Sequence, residues 1–136
     1  MSRSESRLEI RTKAAPEPVG PYSQAVVYAG LVYASGQIPI DPQNGQKIEG
    51  EIEAQTEQVI ANLAAVLEAA GSALEKVIRA TVYLTDLSLF PRVNAIYAEH
   101  FRGIPAPARA TVEVSALPLG SLVEIDAIAI SETAST

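Results

Sequence analysis

Between Glu51 and Ala70 the apolar positions recur at helical intervals. Ile52, Val59, Leu63, Val66, Leu67 and Ala70, with Thr56 among them, fall on one face, and Glu53, Glu57 and Glu68 on the other. Acidic residues crowd the N-terminal half, where the helix dipole favours them. Gly71 follows as a left-handed stop. Elsewhere the pattern alternates with period two. Leu8 to Thr12 alternates weakly and reads as a first strand. Ala25 to Ala29 and Leu31 to Ser35 flank Gly30 as a tight hairpin. Val77 to Thr85 places Ile78, Ala80, Val82 and Leu84 on one face and Arg79, Thr81 and Tyr83 on the other. A second helix runs from Ser88, as N-cap, to about Arg102, with Pro91 tolerated in its first turn. It turns Val93, Ile96, Tyr97 and either His100 or Phe101 inward. Lys13 to Gln24, with Pro16, Pro18, Gly20 and Pro21, is irregular, and Asp41 to Gly45 is a turn by composition.

Pro105 to Ile130 reads as a closing β-hairpin that turns at Leu117 to Gly120. Ala116 then opposes Ser121, and Arg109 opposes Ile128. Glu124 lies four residues further along, roughly 13 Å at about 3.3 Å per residue. Arg109 and Glu124 of one chain do not readily share a small ligand in that register, so, unless a bulge shortens the distance, a shared site is expected to combine two subunits. The order β-β-β-α-β-α-β-β predicts an α+β fold, one mixed sheet with two helices on one face. The uncovered face is expected to carry Thr81, Tyr83 and Thr111, with Val123 and Ile125. That surface is too apolar to face water broadly, which points to an oligomer with the open faces turned together.

Composition narrows the function classes. The chain has 136 residues, the size of one domain, with 48% apolar but only 5% aromatic residues, so its core is aliphatic. A net charge of −6 removes the electrostatic term that general nucleic-acid binding needs. There is no cysteine, hence no disulfide, thiolate nucleophile or cysteine metal site. With one histidine, His100, no His-based metal cluster can be assembled within a chain. His100 sits near a helix C-terminus and reads as structural. No metal and no cofactor is expected. Met1 to Arg7 is polar, is expected to be flexible and holds no signal-peptide run. No apolar run spans a membrane, and a cytoplasmic protein is the default.

The candidate chemistry concentrates in the closing segment. Arg109 has the planar fork that suits a carboxylate, although an ion pair is the commoner fate of a strand arginine. Glu124 and Asp126 point to one face of their strand, and a carboxylate there can orient or activate water. Tyr22 competes with a core-filling role. Ser35 competes with a simple bond to a neighbouring carbonyl. Asn94, a poor helix former inside a helix, implies a local hydrogen bond. Neither Gly20-Pro21 nor Ser35-Gly36 has the spacing of a phosphate loop.

Five segments in order then carry a resemblance. Gly20-Pro21-Tyr22-Ser23-Gln24-Ala25, Ser35-Gly36-Gln37-Ile38-Pro39, Val93-Asn94-Ala95-Ile96-Tyr97, Pro107-Ala108-Arg109-Ala110 and Val123-Glu124-Ile125 resemble the Rid family, the reactive intermediate deaminases, and within it the RidA-type enamine/imine deaminases. The similarity runs from about Lys13 to Ile130. It implies a chorismate-mutase-like fold and a homotrimer whose sheets form a central barrel, with ligand sites between subunits. It further implies that Arg109 binds the substrate carboxylate and Glu124 positions the hydrolytic water. Tyr22, Ser35 and Asn94 would line the cleft, and the backbone around Gly36 and Thr111 would add hydrogen bonds. The family often has glutamate where this chain has Asp126, and some members have cysteine at Thr111. The implied reaction is hydrolysis of 2-aminoacrylate-type imino or enamino acids to 2-keto acids and ammonia, without nucleic-acid or membrane partners. A regulatory carboxylate-binding trimer without turnover is the alternative. RNA cleavage or translation inhibition ranks below both because of the acidic balance.

Overall fold

The computed structural model describes residues 6–103 and 105–132. The flexibility expected of the first seven residues therefore concerns mostly residues outside that range. The strands are β1 (Leu8–Ile10), β2 (Ala25–Tyr28), β3 (Leu31–Gln37), β4 (Ile40–Asp41), β5 (Gln46–Lys47), β6 (Val77–Leu84), β7 (Ala108–Glu113) and β8 (Val123–Ile130). Helix α1 (Ile52–Ala69) precedes β6, and α2 (Phe90–His100) precedes β7. Six strands form one mixed sheet in the order β1-β2-β3-β8-β6-β7; β4 and β5 form a small ribbon where a plain turn is predicted. The expected α+β class and the order of the main elements hold.

The first helix begins within one residue of its predicted start. Its inward stripe of Ile52, Thr56, Val59, Leu63, Val66 and Leu67 is buried, and Gly71, at φ 73°, closes it. Ala29 and Gly30, with φ of 53° and 81°, make the tight turn between β2 and β3. The second helix departs from expectation at its start. Ser88 lies in a 3₁₀ turn, Leu87–Leu89, and the cap is Asp86, whose carboxylate accepts the Ser88 N–H. Of the two inward candidates at its end, Phe101 is buried and His100 is only partly so, paired with Glu57 at 2.8 Å.

The closing hairpin does not form. Strands β7 and β8 do not pair, because β6 lies between them, parallel to β7 and antiparallel to β8. Arg109 stands beside Ala80, not Ile128. The chain does turn at Pro118–Gly120, with Leu119 and Gly120 at positive φ. However, the parallel β6-α2-β7 unit has already placed β7 on the far side of β6. Strand β8, whose Val123, Ile125, Ala127 and Ala129 are all buried, takes the central position.

This pairing also corrects the faces. Thr111 stands beside Val82 and faces the helices, as do buried Val123 and Ile125. Ala80, Val82 and Leu84 keep their predicted face, but a register shift between Val77 and Arg79 buries Val77 and leaves Ile78 exposed. The open face carries Thr81 and Tyr83 as predicted, together with Tyr28, Tyr33, Val112 and Ile130, which are 37–47% exposed.

Several buried polar side chains hold the irregular segments. Gln24 is 2% exposed. Its Oε1 accepts from the Thr12 N–H at 2.7 Å, and its Nε2 donates to the carbonyls of Thr12, Ala15 and Pro16. One side chain thus replaces the ladder bonds that a proline-rich loop cannot make. Asn62 donates to the carbonyls of Ile38 and Ile40, and the Gln55 amide oxygen accepts from the Leu122 N–H. Gln24→Ala is expected to destabilise the fold by about 2–4 kcal/mol, because it leaves several buried backbone groups unpaired. Urea unfolding at fixed protein concentration measures this. Gln24→Glu should be worse, since it keeps the acceptor but buries a charge facing three carbonyls.

Candidate functional site

The predicted site residues fall into two groups on opposite faces of the sheet. The first lies at the β7 edge. Phe90, Asn94, Tyr97 and Phe101 recur at intervals of four, three and four along α2 and its C-terminal end, one stripe of that helix. Arg109 lies across this stripe. Its guanidinium carbon is 5.2 Å from the centre of the Phe90 ring and 4.7 Å from that of Tyr97. Its Nη1 donates to Asn94 Oδ1 at 2.8 Å. A local bond is expected of a mid-helix asparagine; this one is instead a tertiary bond to a residue fifteen positions along the chain. The other guanidinium nitrogens have no protein hydrogen bond among the described residues and line a cleft of about 420 Å³ with Pro107 and Phe101. Charge, a flat platform and one fixed edge leave a preorganised donor fork for a carboxylate.

Tyr97 stacks on Phe101 at 4.1 Å between ring centres. Burial pushes its phenol above the usual range, while the Arg109 charge opposes the rise. The hydroxyls of Tyr97 and Thr111 are buried without a protein hydrogen-bond partner. The platform role of Phe90 and Tyr97 escapes a reading that counts inward positions only. Their helical spacing from Asn94 is the signal for it.

The second group lies on the open face. Glu124 stands beside Tyr83 and packs its side chain onto the backbone of Gly36, where a Cβ would come within 2.8 Å of Glu124 Cδ. The strand is irregular here, with a register shift between Ala34 and Gln37. Ser35 donates its hydroxyl to the Ser23 carbonyl at 2.7 Å, the neighbouring-carbonyl bond considered above. The Ser35 N–H donates to the Gln24 carbonyl. These bonds tie β3 to the loop carrying Tyr22, which is half exposed and whose hydroxyl accepts from the Val19 N–H. Tyr22, Ser35, Gly36 and Glu124 are thus linked through one stretch of backbone. Asp126 lies two residues beyond Glu124 and accepts from the Tyr83 hydroxyl at 2.9 Å. Burial first, and the Asp126 charge second, hold the Glu124 carboxyl above the usual carboxylate range.

Arg109 and Glu124 are therefore about as far apart as the hairpin register suggests, but by a different path. Their levels on β6 are Ala80 and Tyr83, and β6 lies between their strands. Three residues along and two strands across put the Cα atoms about 14 Å apart. The side chains also leave opposite faces.

For metals, Glu57, Glu99 and His100 bring one ligand atom each within 4.8 Å on the helical side. The group is a single imidazole with two carboxylates, and it contains none of the residues of either half-site. No helix among the described residues is long and apolar enough to cross a membrane.

Comparison with known proteins gives a consistent result. The model of the family described as endoribonuclease L-PSP matches residues 12–131. The chain is 53% identical over 131 residues to protein DfrA of Myxococcus xanthus, covering 95% of this chain and 99% of that one. It is 45% identical over 124 residues to the 2-iminobutanoate/2-iminopropanoate deaminase of Mus musculus, covering 91% of each. Among solved structures, YyfA of Yersinia pestis, a Rid-family protein of unknown function, superposes with a TM-score of 0.89 at 50% identity over 92% of this chain and 99% of that one.

Proposed function

On the premise that this chain belongs to the endoribonuclease L-PSP family, the Rid family of the Yersinia protein, we propose that it is a cytoplasmic enamine/imine deaminase. Its substrates are 2-iminobutanoate and 2-iminopropanoate, the imines of the 2-aminoacrylate type, and its products are 2-keto acids and ammonia. The mouse relative at 45% identity bears the name of that activity. The observation that carries the reading is Arg109 on its aromatic platform, with Asn94 fixing one edge of the fork and the rest facing the cleft.

The chemistry asks little of the protein, because a protonated imine is already electrophilic. Arg109 holds the carboxylate. Water adds to the imine carbon through its oxygen while one of its protons passes to Glu124. In the resulting carbinolamine that proton passes to nitrogen; the C–N bond then breaks with ammonia as the leaving group, while the hydroxyl proton goes to Glu124 and the keto C=O forms. Tyr22, Ser35, Gly36, Asn94 and Thr111 line the site. Because Arg109 and Glu124 leave opposite faces, one site takes Arg109 from one subunit and Glu124 from the next. The exposed apolar residues of the open face support an assembly in which three sheets close around a threefold axis.

The name of the family is what favours RNA cleavage as a second reading. The net charge of −6 opposes it, since phosphate contacts supply most nucleic-acid affinity. The test is a coupled assay in which threonine dehydratase generates the imine. Added protein should accelerate 2-ketobutanoate release in proportion to its concentration. No acceleration at any concentration would leave a carboxylate-binding oligomer without turnover.

The Gly36 contact gives a further prediction. Gly36 is not among the glycines at positive φ, so alanine is allowed by the backbone, but its methyl would occupy the place of the Glu124 side chain. Gly36→Ala should lower kcat/KM by about 10–100-fold through displacement of a group that must sit within an ångström of its position. In a Glu124→Gln background the same change should add little, which separates displacement from general damage.

A further inference from the structure

Glu124 and Asp126 share the open face, but their surroundings differ. The Tyr83 side chain stands beside Glu124 across the β6–β8 pair, yet its hydroxyl donates to Asp126 Oδ2 at 2.9 Å. The Glu124 carboxylate has no hydrogen-bond donor among the described residues and leans on Gly36. The groups around it are few. Strand β6 contributes Tyr83, then Thr81 beside Asp126, and Arg79 beside Ile128, four residues along from Glu124. Strand β8 contributes Asp126. Strand β3 contributes Gly36 and Ser35 and no charge.

A phenol has one proton to give, and here it goes to the carboxylate two residues away. We infer that Asp126 and Tyr83 are positioning residues that set the proton-exchange role of Glu124: the tyrosine spends its one proton on a hydrogen bond to Asp126, and Glu124 is left as the member of the pair that trades a proton with water and product nitrogen. This rests on the deaminase reading above and supplies what that reading lacks, a reason why one carboxylate of two carries the proton. Two carboxyl groups in contrasting environments divide acid–base work in this way. The direction of titration agrees. Burial and then the Asp126 charge hold the Glu124 carboxyl above the usual carboxylate range, which favours its taking up a proton. The Tyr83 phenol is raised by burial, by its bond to Asp126 and by the charges of both carboxylates, so it stays protonated as a donor.

Two isosteric substitutions test this with opposite signs. Asp126→Asn removes the like charge, so Glu124 ionises more readily and its titration moves down by about one pH unit. Tyr83→Phe removes the donor and leaves two carboxylates to compete for one proton, so the upper titration of the pair moves up. The double variant should follow Asp126→Asn. The readout is the Glu124 carboxyl followed by carbon-13 NMR in the intact oligomer, with the acid limb of kcat/KM moving in parallel. A merely structural role would lower kcat without moving the titration. Normal turnover with the Glu124 titration unmoved, or moved the same way by both substitutions, overturns the assignment. Opposite shifts in a protein without deaminase turnover would uphold the proton assignment and overturn the reaction assigned to the site.

Discussion

Arg109→Ala is expected to lower kcat/KM for 2-iminobutanoate by about 10²–10⁴-fold while the protein stays folded and assembled. The loss follows from what the side chain does not do for the fold. Arg109 is an exposed residue on edge strand β7, its one side-chain hydrogen bond among the described residues goes to Asn94, and its guanidinium rests on Phe90 and Tyr97. Removing an exposed cation from an aromatic face costs about 0.5–1 kcal/mol, so Tm should move by only a few degrees. The fork offered to a carboxylate supplies two charge-assisted bonds, each worth about 1.5–3 kcal/mol, and nothing else among the described residues of this cleft replaces it. Arg109→Lys keeps the charge without the planar pair of donors and should recover only part of the loss. The coupled keto-acid assay measures both variants, and Arg109→Ala at wild-type rates would remove the clamp from the mechanism.

Elements whose stability is local were legible in the sequence. Helix α1 followed from its 3.6-residue stripe and Gly71, and the β2–β3 turn from Gly30. The alternation in β6 gave the right face wherever the strand is regular and failed at Ile78, where a register shift intervenes. Pairing between distant strands was not legible. Leu117 to Gly120 has the composition of a hairpin turn, and the chain does turn there. Whether two flanking strands become neighbours depends on what already occupies the space between them, and here that is β6. The face of Thr111 followed from that register and was wrong with it, whereas Val123 and Ile125 were misplaced even against it, because the alternation of β8 alone sets them away from Glu124 and Asp126.

At the site, residue identities could be read from the five resembling segments, while their division between two faces could not. Polar residues with structural work were also hidden. Gln24 lies inside one of those segments, yet it is nearly inaccessible and braces a loop through four hydrogen bonds. Nothing in its spacing distinguishes a buried strut from a ligand contact. Glu124 and Asp126 share one face of β8, as their spacing predicts, and Tyr83 keeps its predicted face of β6. Their bond still needed the antiparallel register that sets Thr81 beside Asp126 and Tyr83 beside Glu124.

The separation of Arg109 from Glu124 leads to the second large effect, a recovery of activity. Arg109→Ala and Glu124→Gln are each expected to be nearly inactive alone. Unfolded together in equal amounts and refolded, they should regain about a quarter of wild-type activity, the fraction of sites that pair an intact arginine with an intact glutamate from a neighbouring subunit. A site contained in one chain regains nothing, because every chain lacks one of the two groups. Mixing wild type with the Arg109→Ala/Glu124→Gln double variant gives the converse reading. About a quarter of the sites remain intact if each draws on two subunits, and about half if each belongs to one. The geometry favours the first outcome, because the two side chains leave opposite faces of a sheet with β6 between their strands. No change of rotamer brings them to one small carboxylate. Mixed oligomers verified by mass spectrometry that show no recovery would sink the two-subunit site, and with it the role of the open sheet face as the surface that completes it.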